Sequence, residues 1–222
     1  AGTVQLDGAG THVVSGAAPT FFNLHVVTGD TQILAASTIA GSLTLNSGNL
    51  LDTDAALDIE AGVLIGDATS EWDLGDATHT VAGSWGSAGA NATSLSGLGV
   101  VEFDGPGVLS NFGASIANVT ISAGDRLCSD VAVVGDLLMT GGGLSVLDGQ
   151  DVTVGGDMDL SAGTIAWDSS TDGGGLETLD VEGNCNVDAT VIDESSGARL
   201  FCGGNWTSSA AFAPALGTVI FD

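Results

Sequence analysis

Short runs of alternating apolar and polar residues recur along the whole chain. Leu43 and Leu45, like Met158 and Leu160, are separated by a single polar residue. Alternation with a period of two is typical of half-buried β-strands, and the runs end at Gly, Asn, Asp or Ser, which favour turns. No long segment has the 3.6-residue period of an amphipathic helix. The pattern therefore predicts an all-β protein with very little helix.

A five-residue motif centred on glycine also recurs. It reads apolar, any residue, Gly, then Ser, Asp or Asn, then apolar; a weaker copy at residues 59–63 has Ala61 in place of the glycine. Within each half of the chain, successive copies are 20, 22, 21, 27 and 21 residues apart. The full copies begin at Ile39, Val81, Val133, Val154, Val181 and Cys202.

A strand-rich unit of this length cannot bury its apolar side alone, whereas stacked units bury a continuous core. The prediction is a parallel β-solenoid with about 21 residues per turn and roughly ten turns. We expect the glycine to form a corner because it can take a backbone angle that other residues avoid. The following Ser, Asp or Asn should form a polar ladder between turns. The longest step contains residues 169–178, which we interpret as a looped-out insertion.

A longer repeat contains several of these units. The segment GTVQLDG at residues 2–8 recurs as GVVEFDG at 99–105 and as GTVIFD at 217–222. The spacing predicts one superunit at residues 1–98, a second at 99–216 and the start of a third at 217–222, all in one continuous rod. Because the sequence stops inside the motif and starts without Met, we expect a mature or excised piece of a longer tandem array.

The patterns GTVxFDG, FxNLxV, GDLxLxxGxLD and VxGDW resemble tandem repeats of large bacterial cell-surface and secreted proteins of the adhesin and autotransporter-passenger kind. The resemblance covers essentially the whole chain. It implies a right-handed parallel β-helix, export to the cell surface or beyond, and a structural or adhesive role. It carries over no site residue, because likeness of fold does not define function.

The composition narrows the choice of partners. Glycine makes up 35 of the 222 residues, about twice the usual share of about 7%. Arg126 and Arg199 are the only basic side chains apart from three histidines, against 28 acids, for a net charge of −26. Such a surface repels nucleic acid and anionic lipid and attracts cations. There is no apolar run of about 20 residues, so no membrane insertion is predicted.

The acids do not form a recognisable metal motif. Three close pairs occur, and none has the spacing of a calcium-binding loop with its distal Glu. Residues 172–180 faintly resemble a calcium-binding nonapeptide, but the pattern does not repeat. We interpret the acids as solvated turn residues; the alternative is weakly bound Ca²⁺ that bridges neighbouring rods. The close pairs are Asp52 with Asp54, Asp148 with Asp151, and Asp157 with Asp159.

The three cysteines are predicted to be free, buried thiols. Cys185 and Cys202 lie on adjacent turns, but their repeat positions are four residues apart along a turn. Their Cα atoms should therefore exceed the ~7 Å that a disulfide tolerates, unless the corner is very tight. Together with Cys128 they then serve as small core residues.

No catalytic, cofactor-binding or metal-ligating residue is predicted, and we do not expect an enzyme. His12, His25 and His79 are scattered, without the spacing of a zinc site, and are interpreted as satisfied strand or turn residues. The two arginines are each followed by Leu, which suggests similar positions on a turn. We interpret both as surface charges that pair with nearby Asp.

The tryptophans and the glycosylation sequons are ambiguous. Trp85 and Trp206 occupy positions where other turns have Leu, Met or Cys, and are predicted to be core residues. Trp72 and Trp167 each precede Asp, and their placement stays open. Three sequons suit glycosylation, although chance matches are common in a Thr-rich strand protein; they are centred on Asn91, Asn118 and Asn205.

The sequence thus predicts an extracellular structural or adhesive rod, a segment of a long repeat protein or filament. Its partners would be further copies of itself, as a continued array, head to tail or side by side, and another cell surface or a polysaccharide. The alternative function is a carbohydrate-binding or carbohydrate-cleaving β-helix, which would need a cleft lined by Arg, Asp and exposed aromatic residues.

Overall fold

A computed structural model of the protein describes residues 2–51, 54–67, 69–87, 95–110, 115–167, 176–188, 190–192, 198–209 and 218–222. These residues form 31 strands and no helix. The strands lie in four sheets in which all neighbouring strands run parallel. The prediction of an all-β fold is confirmed.

Two sheets contain ten strands each. Sheet A consists of β1 (Thr3–Leu6), β4 (Asn23–Val26), β7 (Ser42–Leu45), β10 (Gly62–Ile65), β13 (Ser84–Ser87), β16 (Gly107–Ser110), β19 (Asp125–Ser129), β22 (Gly143–Val146), β25 (Thr164–Trp167) and β28 (Thr190–Ile192). Sheet C consists of β3 (Thr20–Phe21), β6 (Ser37–Ile39), β9 (Leu57–Ile59), β12 (Thr78–Val81), β15 (Val100–Phe103), β18 (Asn118–Ile121), β21 (Leu137–Met139), β24 (Met158–Leu160), β27 (Cys185–Val187) and β30 (Trp206–Thr207).

The other two sheets are shorter. Sheet B consists of β2 (Thr11–Val14), β5 (Gly29–Ile33), β8 (Gly48–Leu51), β11 (Glu71–Asp73) and β14 (Leu95–Ser96). Sheet D consists of β17 (Ser115–Ile116), β20 (Val131–Val133), β23 (Asp151–Val154), β26 (Thr178–Val181), β29 (Arg199–Cys202) and β31 (Thr218–Phe221). In the chain order, sheet D takes the place of sheet B from β17 onward.

The chain passes through sheet A, then B or D, then C, and returns to sheet A one turn further along. The result is a three-sided parallel β-solenoid with about nine turns of roughly 20 residues each. The predicted solenoid is confirmed, and its predicted values of about 21 residues and roughly ten turns are close. The right-handed winding stays a prediction.

The core is a set of columns in which equivalent residues of successive turns stack on one another. One column runs from Val133 through Val154 and Val181 to Cys202, and all four side chains are buried. Inward side chains from all sheets join one apolar cluster along the rod. The apolar residues two positions before and after the corner glycines are therefore buried, except for the half-buried Trp206.

The repeated glycines do form corners, but not for the predicted reason. None of the motif glycines has the positive φ that favours glycine. They are required because adjacent turns approach closely. A Cβ atom at Gly183 would collide with the backbone carbonyl oxygen of Gly156 on the preceding turn, and a backbone group of a stacked strand cannot move aside. Positive φ occurs instead at other corners, as at Gly163, with φ of 100°.

The predicted superunits begin on different sides of the solenoid. The strand of the first copy, β1, lies in sheet A, that of the second, β15, in sheet C, and that of the third, β31, in sheet D. The local structure is nevertheless kept: β1 pairs with β4 through Thr3 and Asn23, as β15 pairs with β18 through Val100 and Asn118. The superunit boundaries stay predictions. The insertion predicted at residues 169–178 lies outside the described residues except for its last three.

Candidate functional site

A ladder of Asn and Asp side chains follows the corner between sheets D and C through five successive turns. Oδ1 of Asn118 accepts a hydrogen bond from the backbone N–H of Asp136 at 3.0 Å, and Oδ1 of Asp136 accepts that of Asp157 at 2.8 Å. Oδ1 of Asp157 accepts the N–H of Asn184 at 2.7 Å, and Oδ1 of Asn184 accepts that of Asn205 at 3.0 Å. The predicted polar ladder is confirmed.

A shallow groove of about 550 Å³ lies beside this ladder on the outer face of sheet C. Its far side is a second polar column: Asn186 donates from Nδ2 to Oδ1 of Asp159 at 3.1 Å, and Thr207 donates from Oγ1 to Oδ1 of Asn186 at 3.0 Å. Leu138, in register with Asp159, forms an apolar part of the lining. We call this feature the sheet C groove.

The groove has a mixed surface, in which apolar atoms lie between the two polar columns. Both members of the pair Asp157 and Asp159 line it, together with Asp136. Asp136 and Asp157 accept their ladder bonds at Oδ1, and Asp159 accepts the bond from Asn186 at Oδ1 in the second column. Carboxylates and amides in a row can accept and donate hydrogen bonds to hydroxyl-rich molecules or hydrated cations. The sequence predicted the ladder position, but not the second column. The signal of this column is a polar residue between two buried residues, as at Asp159 in β24 and Asn186 in β27.

The acids do not meet the requirements of a metal site in the part of the chain that the structure describes. No group of three or more His, Cys, Asp or Glu side chains is arranged to hold a metal ion there. Asp52 and residues 172–175 lie outside the described residues. In the pair Asp148 and Asp151, the backbone N–H of Asp151 donates to Oδ1 of Asp130 at 3.5 Å. This bond joins two adjacent turns.

His79 is buried and has both ring nitrogens engaged, as predicted for a satisfied strand residue. The backbone N–H of Leu57 donates to Nδ1 at 3.2 Å, and Nε2 donates to the carbonyl of Leu74 at 3.0 Å. The ring also makes an edge contact with Trp72. Burial lowers the pKa of His79 below 6.5, while the bond to Leu74 opposes this shift. The imidazole is thus held neutral. His12 and His25 are half-buried.

This histidine predicts that stability falls on mild acidification. Below about pH 6.5 the unfolded chain binds a proton at His79, whereas the folded chain does not until its lower pKa is reached, so the free energy of unfolding decreases. We expect His79→Gln to be less stable at pH 7.5 and to show a smaller decrease between pH 7.5 and 5. Urea titrations at each pH measure this, and equal slopes in the two proteins would contradict it.

Arg126 is buried, so its prediction as a surface charge is wrong. Its side chain reaches back along the rod, where Nη2 donates to the carbonyl of Val81 at 2.9 Å and Nη1 donates to that of Gly83. The guanidinium carbon lies 4.4 Å from the centre of the Phe103 ring. Burial lowers the pKa of Arg126 to about 10, and it therefore remains a cation at neutral pH.

The space for Arg126 comes from Gly107, its register partner on the preceding turn. A Cβ atom at Gly107 would lie 2.8 Å from Nη1. The predicted equivalence of the two arginines is also wrong: Arg199 is exposed and the following Leu200 is buried, whereas Leu127 after Arg126 is exposed. The Arg-Leu dipeptide thus has opposite orientations in the two strands: β19 points its arginine inward, and β29 points its leucine inward.

Cys185 and Cys202 form a disulfide, so the prediction of free thiols is wrong for both. Their sites are those expected from the repeat, since Cys202 is in register with Val181 and Cys185 with Trp206. The corner is tight enough to bring their Cα atoms to 6.2 Å, within the usual disulfide range. The third, Cys128, is a free buried thiol as predicted, and burial raises its pKa to about 12.

Three tryptophans are core residues. Trp72 and Trp85 are fully buried and stack with ring centres 5.5 Å apart, and Trp167 is buried as well. The core prediction is therefore confirmed for Trp85, while Trp206 is only half-buried and makes an edge contact with Phe221. These three buried rings are therefore not accessible for stacking on a sugar.

Two of the three sequon asparagines belong to the ladder. Besides its ladder bond, Asn118 donates from Nδ2 to the carbonyl of Leu98 at 3.1 Å, and Asn205 donates from Nδ2 to Oδ1 of Asn184 at 3.1 Å. A glycan on either amide nitrogen would compete with these bonds. Asn91 lies outside the described residues.

Comparison with protein-family models, with curated proteins and with solved structures finds no match for this chain. Over the described part of the chain, no helix has the length and apolar character needed to cross a membrane.

Proposed function

We propose that the protein is a segment of an extracellular structural or adhesive rod, either part of one long repeat protein or a subunit of a filament. The observation that carries this proposal is the placement of one strand motif on sheets A, C and D in turn. Because the motif fits any side of the solenoid, superunits can follow one another by the same turn-on-turn pairing. A rod built in this way has no intrinsic length limit.

One feature supports a location outside the cell. The disulfide between Cys185 and Cys202 is of a kind that forms and persists in oxidising compartments. The net charge of −26 keeps an elongated particle soluble and repels acidic surfaces. The same charge attracts cations, and we include weak Ca²⁺ bridging between neighbouring rods in the proposal.

A second candidate function is the binding of polysaccharide, for which the sheet C groove is the supporting observation. It follows the rod axis and offers carboxylates and amides on both sides, from Asp136, Asp157, Asp159, Asn184 and Asn186. Such groups suit hydroxyl-rich chains that lie along the rod. The polysaccharide would be the adhesion target, and no cleavage is proposed.

Cryo-electron microscopy of the protein isolated from its cells, with and without a calcium chelator, tests the rod. We expect continuous fibres with a ~4.8 Å axial repeat, and their separation on chelation if Ca²⁺ bridges them. Discrete particles of single-domain size would refute the filament. For the second candidate, Asp159→Ala should weaken retention on a polysaccharide column, whereas Asp58→Ala, on sheet C outside the groove, should not.

A further inference from the structure

The outer face of sheet A is almost free of charge, unlike the other sides of the rod. Its strands carry outward Ser, Thr, Gly, Ala, Asn, Gln, His, Val and Leu, and Asp125 at the start of β19 is the single acid among the described side chains at these positions. The other sheets each carry two or three outward acids in their described strands: Asp30, Glu71 and Asp73 in sheet B, Asp58, Glu102 and Asp159 in sheet C, and Asp151 and Asp180 in sheet D.

The same face has both protruding and recessed positions. Leu64, Val108 and Leu127 are 43%, 40% and 41% exposed. Beside them, Gly62 and Gly86, with other residues of neighbouring strands, line a groove of about 610 Å³. A face that carries knobs and a groove together can pack against a copy of itself, the knobs of one copy entering the groove of the other.

We propose that sheet A is the face through which two copies of this chain pack side by side. The distribution of acidic side chains indicates that the partner on this face is a second copy of the chain. Two chains of net charge −26 repel each other through any pair of acid-bearing faces, so contact is least costly where the carboxylates are missing. The proposal rests on the side-by-side contact between rods in the proposed function and specifies the surface that makes it. It can hold even if no filament forms.

The size of the face is sufficient. Ten strands spaced by about 4.8 Å span about 43 Å, and strands of four residues are about 13 Å wide. The face therefore measures about 550 Å² per copy, or about 1,100 Å² in total. This is just above the roughly 1,000 Å² that a specific interface needs. We expect a weak dimer rather than an obligate one.

The test compares two Val→Asp variants by sedimentation equilibrium of the whole chain. Val108→Asp places a carboxylate in the middle of sheet A, whereas Val134→Asp places the same group at the corner between sheets D and C, where Val134 is 64% exposed. We expect a concentration-dependent dimer that Val108→Asp weakens at least about tenfold and Val134→Asp leaves nearly unchanged. Higher salt should strengthen the unmodified dimer by screening the net charge.

A second pair guards against misfolding of one variant. Leu127→Asp on sheet A and Leu98→Asp, whose side chain is 77% exposed, repeat the comparison, and thermal unfolding of every variant confirms that it is folded. A protein that stays monomeric up to millimolar concentration overturns the proposal, as does equal weakening by both members of a pair. Monomers whose binding to a neutral polysaccharide depends on Val108 would assign sheet A to that ligand instead. The fibre images test the filament separately.

Discussion

Replacing Trp85 by alanine is expected to lower the free energy of unfolding by about 3–5 kcal/mol. Trp85 is among the largest fully buried side chains. It stacks on Trp72, with ring centres 5.5 Å apart, and makes an edge contact with Phe103 at 6.2 Å. Truncation removes the ring from both contacts and leaves a cavity that rigid stacked strands cannot fill.

The loss should also be local. Each turn of a solenoid contacts its neighbours only, so its stability is a sum of turn and interface terms. We expect hydrogen exchange in Trp85→Ala to accelerate most in the strands next to β13, namely β10 and β16, and least in β24 and β27. Urea unfolding followed by far-UV circular dichroism gives the global change.

Trp206→Ala is the matched control, because Trp206 occupies the same position relative to its corner glycine. Trp206 is only half-buried, so we expect a clearly smaller loss. Equal losses at the two sites, or a loss below about 1 kcal/mol for Trp85→Ala, would contradict the view that the stacked ring pair is a main element of this core.

Much of the fold follows from the sequence because the information is local and repeated. The alternation around Leu43 or Met158 defines which side of each strand faces inward, and repetition at nearly constant spacing leaves stacking as the way to bury that side. The Asn and Asp ladder follows from the same repetition: Asp136, Asp157 and Asn184 each follow a corner glycine, and each accepts a bond from the backbone of the next turn. These predictions needed no knowledge of contacts distant in sequence.

The failures have a different origin, since each depends on what the adjacent turn supplies. Arg126 is buried because Gly107, one turn earlier, leaves room for it, and nothing in the neighbourhood of Arg126 along the chain signals this. The superunits begin on different sheets because their lengths are not whole numbers of turns. This could be predicted only if the number of strands per turn, which is three, were known. The sheet C groove combines residues from several turns and was missed for the same reason.

The disulfide was predictable in part, because the repeat gives the positions of its cysteines but not the distance between them. The repeat alignment placed Cys185 and Cys202 correctly on two columns, and only the spacing across the corner was misjudged. Four residues of extended chain would hold the two Cα atoms too far apart, but the chain changes direction at Gly183, so that the two columns lie close together. The Cα–Cα separation of 6.2 Å follows from that turn.

Reduction of this disulfide is expected to lower the free energy of unfolding by about 3 kcal/mol, the loop-closure value for a loop of about this length. The cysteines are 17 residues apart, and the crosslink joins two adjacent turns near one end of the described rod. The repeat also offers replacements for the core positions. Val181 stacks on Cys202 and Met158 on Cys185, so Cys202→Val with Cys185→Met keeps apolar side chains in both columns.

We expect the double variant to resemble the reduced protein and to be insensitive to dithiothreitol. Cys128→Val is the control: it removes the free thiol, and its stability should still fall by about 3 kcal/mol on reduction. Alkylation of the unfolded chain, counted by mass spectrometry, checks the pairing directly. One label before reduction and three after it agree with the disulfide. Three labels without reductant would mean that the thiols are free, and the support for an oxidising compartment would disappear with the crosslink.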